Sequence, residues 1–250
     1  MRSEDDVGAG VNKSDAVRAA SFRIHGWRIA VLGIGQVLDP VDQVAGADKP
    51  GTAAGHDFPL ALRAVQDAAA SSDLVVVMIH WGVELEARPS GYQVDQAHRM
   101  IDAGADVIFG SHPHRLQPME TYRDRPIFYS LGNFVWPRLT QALSATAIAE
   151  VVVAPDGTIR GRLLPVEIVS DGHPMLVART GGKRSHATPV QRELERGYAG
   201  RSTTARAIPM TSRSARGRRN PRTVTATRTV ASDVPSAHEH DTRRAPFRNA

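Results

Sequence analysis

Apolar residues along the chain gather into short runs rich in Val and Ile, separated by segments with helical spacing. Residues 74–79 and 106–110 are near-continuous apolar runs of strand length, the pattern of parallel strands buried on both faces. Between them, residues 92–103 place Val94, Ala97, Met100 and Ile101 on one helical face, with Gly104 just past the end. Residues 59–71 repeat the helical spacing through Leu60, Leu62, Val65, Ala68 and Ala69. Upstream, residues 22–24 and 28–33 are strands turning at His25-Gly26. This β-α-β-α-β order favours parallel strands joined by right-handed crossovers. Downstream, residues 119–122 and 127–130 are short strands joined through Arg123-Asp124-Arg125-Pro126. Residues 145–153 and 158–169 pair through Pro155-Asp156-Gly157 and belong to a second sheet. The pattern predicts an α/β chain.

Charge divides the chain in two. Residues 1–178 carry 15 Lys and Arg against 21 Asp and Glu, whereas residues 179–250 carry 16 against 5. The basic character therefore belongs to the second segment, which is rich in Arg, Ser, Thr and Pro and poor in large apolar residues. Such a composition buries too little surface to offset ordering entropy, so residues 179–250 are expected to be a disordered basic tail, with one short helix over 189–198. A basic tail also suits an anionic polymer or a nucleic acid. The scarcity of aromatic side chains for base stacking ranks nucleic acid below a plain extension. The chain has no Cys, which excludes disulfides and thiolate metal sites. Its start, with Glu4-Asp5-Asp6, has neither the basic nor the apolar region of a signal peptide. No run reaches the ~18–20 apolar residues of a membrane span, and these features together predict a cytoplasmic chain unless the start is misassigned.

Histidines stand where the two central strands end. Residues 74–79 run into His80-Trp81-Gly82-Val83-Glu84, and residues 106–110 run into Ser111-His112-Pro113-His114. Chemistry in open α/β sheets collects beyond the carboxyl ends of the strands. Alternate residues of an extended segment face one side, so His112 and His114 are expected to aim two rings into one cleft, with Pro113 stiffening the pair. Neutral imidazole ligates Zn, Mn, Fe and Ni, which makes His80, His112 and His114 candidate metal ligands. Glu84 is a candidate for orienting His80 or touching substrate, its plain alternative being a solvated carboxylate. Asn133 is expected to satisfy backbone groups in a turn, and Trp81 and Trp136 either wall the cleft or cover the core. The remaining histidines are hydrogen-bonded structural residues or exposed. Gly33-Ile34-Gly35 does not complete a G-x-G-x-x-G pattern, because Leu38 and Asp39-Pro40 follow it.

One longer stretch resembles a known family. His80-Trp81-Gly82-Val83-Glu84, Pro89, Gln93, Ile101-Asp102-Ala103-Gly104-Ala105-Asp106, His112-Pro113-His114, Leu116-Gln117-Pro118 and Ile127-Phe128-Tyr129-Ser130-Leu131-Gly132-Asn133-Phe134-Val135 resemble the C-terminal half of CapA-type proteins. These are poly-γ-glutamate capsule synthesis proteins related to calcineurin-like metallophosphoesterases. The resemblance extends more weakly from Gly8-Ala9-Gly10-Val11-Asn12 to about Val177. It implies a four-layer metallophosphatase-like fold of two sheets flanked by helices, here partial, over residues 1–178. It implies a two-metal site in which His80 and His112 hold one divalent cation and His114 the other; Glu84, Trp81 and Asn133 stand beside these as candidates to support the site or touch substrate on the reading of the residues given above.

The family's carboxylate, amide and leaving-group histidine motifs precede the segment matched by Gly8-Ala9-Gly10. The resemblance therefore implies a chain that begins in mid-domain, lacks half the ligand set and has negligible phosphoesterase activity by itself. It implies a role in capsule polyglutamate synthesis or export, acting on an anionic polymer or a phosphoester. Its alternatives are an inactive fragment, a weak metal-binding module, and a protein that binds anionic polymer or nucleic acid through its tail. A chain starting in mid-domain is also expected to leave residues 74–79 and 106–110 with an uncovered edge or face.

Overall fold

The computed structural model describes residues 6–37, 43–136 and 141–177. The proposed basic tail, the helix over 189–198, and His186, His238 and His240 lie outside the described residues.

The main sheet has six strands in the order β2-β3-β5-β6-β8-β7. They are β2 (Ala20–Ile24), β3 (Trp27–Gly35), β5 (Leu74–His80), β6 (Val107–Ser111), β7 (Met119–Tyr122) and β8 (Arg125–Phe128). The inner strands β3, β5, β6 and β8 are parallel, and β2 and β7 close the two edges antiparallel. Both edges are made by two-residue hairpins whose tips have positive φ. His25 and Gly26 stand at 50° and 82°, and Arg123 and Asp124 at 48° and 61°. Such primed turns match the right-handed twist of their flanking strands. The second turn corrects the expected strand bounds. It uses only Arg123 and Asp124, so β8 begins at Arg125 and ends at Phe128. Pro126 is tolerated because pairing with β6 starts one residue later, at Ile127.

Two helices cover one face. In α2 (Phe58–Ser71), Asp57 accepts from the Leu60 amide at 3.2 Å, and Pro59 occupies the first turn, where no amide donor is needed. In α3 (Gly91–Asp102), Gln93 Oε1 accepts from the backbone N and the hydroxyl of Ser90, and Gly104 follows the helix at φ 114°. Val75, Val77 and Ile79 pack toward these helices with Val65, Ala97 and Met100. Leu74, Phe109 and Phe128 face the other way, into a three-stranded antiparallel sheet. That second sheet comprises β9 (Ala145–Val153), β10 (Ile159–Ile168) and β11 (Pro174–Leu176), preceded by the single turn α4 (Gln141–Ser144). A small pair, β1 (Ala9–Gly10) with β4 (Gly51–Thr52), holds the turn α1 (Lys13–Ala16).

The result is a mixed α/β fold with two stacked sheets. The described residues form helices, large sheet and small sheet, three of the four layers expected. The expectation of an uncovered β5 or β6 is corrected. Both strands are interior to the sheet, and helices and the second sheet cover their two faces.

Gly110, in β6, marks the tightest approach. A Cβ there would collide with the carbonyl of Tyr129 and with the Trp81 indole nitrogen. Neither is the free end of a flexible chain, so Gly110→Ala is expected to cost about 3 kcal/mol, at the upper end of overpacking effects. Chemical denaturation of the two proteins side by side measures this, and an unchanged midpoint would contradict the packing described.

Candidate metal centre

The three histidines meet at the carboxyl edge of the main sheet because β5 and β6 are parallel and in register, His80 opposite Ser111. His80 ends β5, and the chain leaves β6 through Ser111 directly into His112-Pro113-His114. The two strand ends therefore deliver all three rings to one place. His80 and His112 stand edge to face with ring centroids 4.8 Å apart, and His112 and His114 with centroids 6.0 Å apart.

The backbone achieves this differently from the extended His-Pro-His segment expected. His112 has φ 103° and His114 φ 56°. Positive φ is costly for residues bearing a Cβ, by about 1–3 kcal/mol each, and persists only where the surroundings enforce it. One restraint is visible in the Leu85 amide, which donates to the Pro113 carbonyl at 2.9 Å.

Hydrogen bonds orient each ring. His80 Nδ1 lies 3.1 Å from Ser111 Oγ, while the Ser111 hydroxyl donates to the Ile79 carbonyl at 3.3 Å. With its proton committed there, Ser111 accepts from His80 Nδ1–H, which makes His80 Nε2 an acceptor. The Nδ1–H of His112 donates to that atom at 3.2 Å. His114 Nδ1 lies 2.7 Å from Asn133 Oδ1, an acceptor only, so this nitrogen carries the proton and Nε2 is the acceptor of that ring. Asn133 is buried and also reaches the His114 carbonyl at 3.5 Å. Its partner is thus a site imidazole as well as backbone. Removing such an orienting group lowers cation affinity about 10–100-fold at characterised metal sites. Asn133→Ala is expected to do the same here, read as a shifted half-point in a divalent-cation titration.

The other candidates separate. Trp81 is wholly buried, stacks on Tyr129 with centroids 6.0 Å apart and donates from Nε1 to the Tyr129 carbonyl at 3.0 Å. Of its two alternatives, the cleft wall and the core, Trp81 takes the core, because it continues the helix-facing alternation of Val75, Val77 and Ile79. Glu84 is exposed, and its field acts on His112. Ser111 was not anticipated. Its role depends on the β5–β6 register, which no local pattern displays. Trp136 is partly exposed beside His114, with centroids 5.0 Å apart. Of the other histidines, His98 bonds Glu120 at 3.0 Å, and His25, His56 and His173 are exposed. The Tyr129 phenol donates to the same Glu120 at 2.6 Å, and burial foremost, with Glu120 second, holds its pKa far above the ordinary value.

His112 is held below the ordinary imidazole pKa. Burial disfavours its charged form most, the neighbouring His114 adds to this, and Glu84 opposes both. In the unfolded chain the group titrates near ~6.5. As pH falls through that value the unfolded state takes up its proton first. The stability this residue contributes is therefore complete above ~6.5 and is lost as pH drops to the lower folded value. A proton NMR titration should place the His112 midpoint below ~6.5. His114→Ala should move it up and Glu84→Gln further down, and a wild-type midpoint at or above the ordinary value would refute this picture.

Among the described residues no group of three or more His, Cys, Asp or Glu side chains is arranged to hold a metal ion. What the edge presents is a close pair, His80 and His112, with His114 fixed beside it. No helix among the described residues is long and apolar enough to cross a membrane.

Residues 5–138 match the family model described as bacterial capsule synthesis protein PGA_cap. The chain is 37% identical to the PGA biosynthesis protein CapA of Bacillus subtilis over 165 residues, 66% of this chain and 43% of that protein. It is 32% identical to the capsule biosynthesis protein CapA of Bacillus anthracis over 197 residues, 77% of this chain and 47% of that one. A probable polyglutamine synthesis accessory protein of Mycobacterium tuberculosis is 32% identical over 139 residues, 52% of this chain and 36% of its own. The matches thus span less than half the length of these relatives. Among solved structures, the NAD nucleotidase of Haemophilus influenzae shares 15% identity at TM-score 0.37, over 69% of this chain and 34% of that one, too slight a likeness to carry an argument. The match over more than half of its residues establishes that the chain belongs to the bacterial capsule synthesis protein PGA_cap family.

Proposed function

We propose that the carboxyl edge of the main sheet binds divalent cation through His80, His112 and His114, and that the chain serves capsular polyglutamate synthesis or export through a metallophosphoesterase-type site. The observation that carries this reading is the juxtaposition of His80 Nε2 and His112 Nδ1, hydrogen-bonded to each other at 3.2 Å, the spacing at which a cation could replace the shared proton. Two nitrogens each about 2.0–2.1 Å from one cation stand roughly 2.9–3.4 Å apart at angles between square and tetrahedral. The donor set suits Zn²⁺, Mn²⁺, Fe²⁺ or Ni²⁺. A bound cation would polarise a phosphoryl oxygen and lower the pKa of a water. Ser111 holds the His80 ring, Asn133 holds the His114 ring with Nε2 open, and Glu84 supplies negative charge near His112.

The test is phosphate binding in excess Mn²⁺, followed by calorimetry. The wild type is expected to bind inorganic phosphate only when the cation is present, and His80→Ala to bind neither. Phosphate uptake that is indifferent to cation or to His80→Ala would overturn the reading. A binding module without turnover is the second reading. It is favoured by the absence, among the described residues, of a three-ligand group and by the lack of charge on neutral imidazoles, which cannot by themselves hold two cations close together. Turnover of an aryl phosphate that disappears in His80→Ala would decide for the hydrolase.

A further inference from the structure

The end of the main sheet opposite the histidines carries an unbalanced charge. Arg23 in β2 and Arg28 in β3 are directly opposite in the antiparallel register, and both are exposed. Directly opposed residues share a face, and like charges so placed destabilise a sheet. Ser21 lies on that face too, opposite Ala30, which packs into the helix-facing core. One of the two charges is compensated. Arg28 donates from Nε and Nη2 to the Asp73 carboxylate at 3.3 and 3.0 Å, and its backbone N donates to the same carboxylate at 2.8 Å. The Arg23 guanidinium has no ion pair or hydrogen bond among the described residues. Between this pair and the C-terminal end of α2 lies a cavity of about 320 Å³ lined by Ser21, Phe22, Arg23, Arg28, Ser71 and Ser72. The Ser71 hydroxyl commits its proton to the Asp67 carbonyl at 3.2 Å. The hydroxyls of Ser21 and Ser72 have no such bond among the described residues.

We propose that this cavity binds a carboxylate, with the Arg23 guanidinium engaging both oxygens and the Ser21 and Ser72 hydroxyls donating beside it. The planar fork of Arg matches a carboxylate in two parallel hydrogen bonds. Charge selects the class further. Two guanidinium groups and the Asp73 carboxylate leave a single positive charge, and the last carbonyls of α2 reduce it further. One carboxylate balances that charge, whereas a dianion exceeds it. Such an anion also relieves the repulsion that the Arg23–Arg28 register imposes. The carboxylate belongs either to a small free acid or to an acidic polymer. No residue of the histidine edge takes part, so the proposal stands apart from the cation reading.

The experiment titrates butyrate, and separately poly-γ-glutamate, into the whole chain with no divalent cation added. NMR resonances of residues 21–28 and 71–73 report binding. Butyrate is expected to shift them saturably. Arg23→Gln should weaken binding roughly tenfold or more, the worth of a hydrogen bond to a charged group. Arg23→Lys should restore only part of it, because an ammonium lacks the fork. Arg23→Gln also removes a like-charge contact, so its urea midpoint should equal or exceed that of the wild type, which separates lost binding from lost folding. Sulfate at matched ionic strength should bind more weakly than butyrate. Arg23-dependent binding of the polymer that is much tighter than that of butyrate assigns the carboxylate to an acidic polymer, and comparable affinities assign it to a small acid. No saturable shift with either ligand, shifts that persist unchanged in Arg23→Gln, or sulfate binding as tight as butyrate would overturn the proposal.

Discussion

The double variant His112→Ala/His114→Ala is expected to lose at least about two orders of magnitude in affinity for Zn²⁺, Mn²⁺ or Ni²⁺, more than the effect of losing an orienting group alone. The reasoning is local. His80 Nε2 has a second nitrogen at 3.2 Å only because His112 is there, and His114 presents its Nε2 only because Asn133 engages the other nitrogen. Alanine at both positions removes the nitrogen that faces His80 Nε2 and the neighbouring imidazole with it. Affinity in the wild type should itself be modest, since the donors are neutral. It should fall as pH drops below ~6.5, where protonated imidazole no longer ligates. The depressed pKa of His112 extends its competence slightly below that of an ordinary histidine. Calorimetric titration of both proteins near pH ~7.5, about one unit above the ordinary imidazole value, is the decisive comparison, and superimposable curves would end the shared-site interpretation.

Trp81→Ala is expected to produce the largest loss of stability, about 4 kcal/mol. Trp81 is wholly buried between β5, β6 and the segment after β8, and removing its ring opens a large cavity. The change also strips the Tyr129 carbonyl of its donor, a further cost of about 1 kcal/mol. Trp81→Phe separates the two contributions, because it keeps most of the ring and loses only the N–H. Urea unfolding followed by circular dichroism gives both values. A loss under about 1 kcal/mol for Trp81→Ala would mean that the site tolerates repacking that the close approach at Gly110 argues against. Since Trp81 follows His80 directly, this variant should also loosen the cation site.

Much of this architecture is written locally. The apolar runs of β5 and β6, the helical stripes of α2 and α3, and the β9–β10 hairpin each follow from a period or a turn motif confined to a few residues, so they are legible without the fold. For Trp81 the sequence left cleft wall and core open, and the packing of its strand face with Val75, Val77 and Ile79 against the helices decides for the core. Other features arise only in three dimensions. The His80–Ser111 pairing depends on a register between strands 31 residues apart, and the His114–Asn133 bond joins two loops 19 residues apart. Neither contact leaves a periodic trace. The expectation of an extended His112-Pro113-His114 failed for the same reason. Intrinsic preference disfavours positive φ at histidine, and only surroundings assembled from distant segments, such as the Leu85–Pro113 bond, can impose it. The residue types and the histidines that follow β5 and β6 were thus determined by the sequence, whereas the bounds of β8, the ring orientations and the nitrogen that carries each proton were decided by tertiary packing. Local propensity acts over a few residues, and hydrogen bonds between distant segments exist only once the sheet has formed.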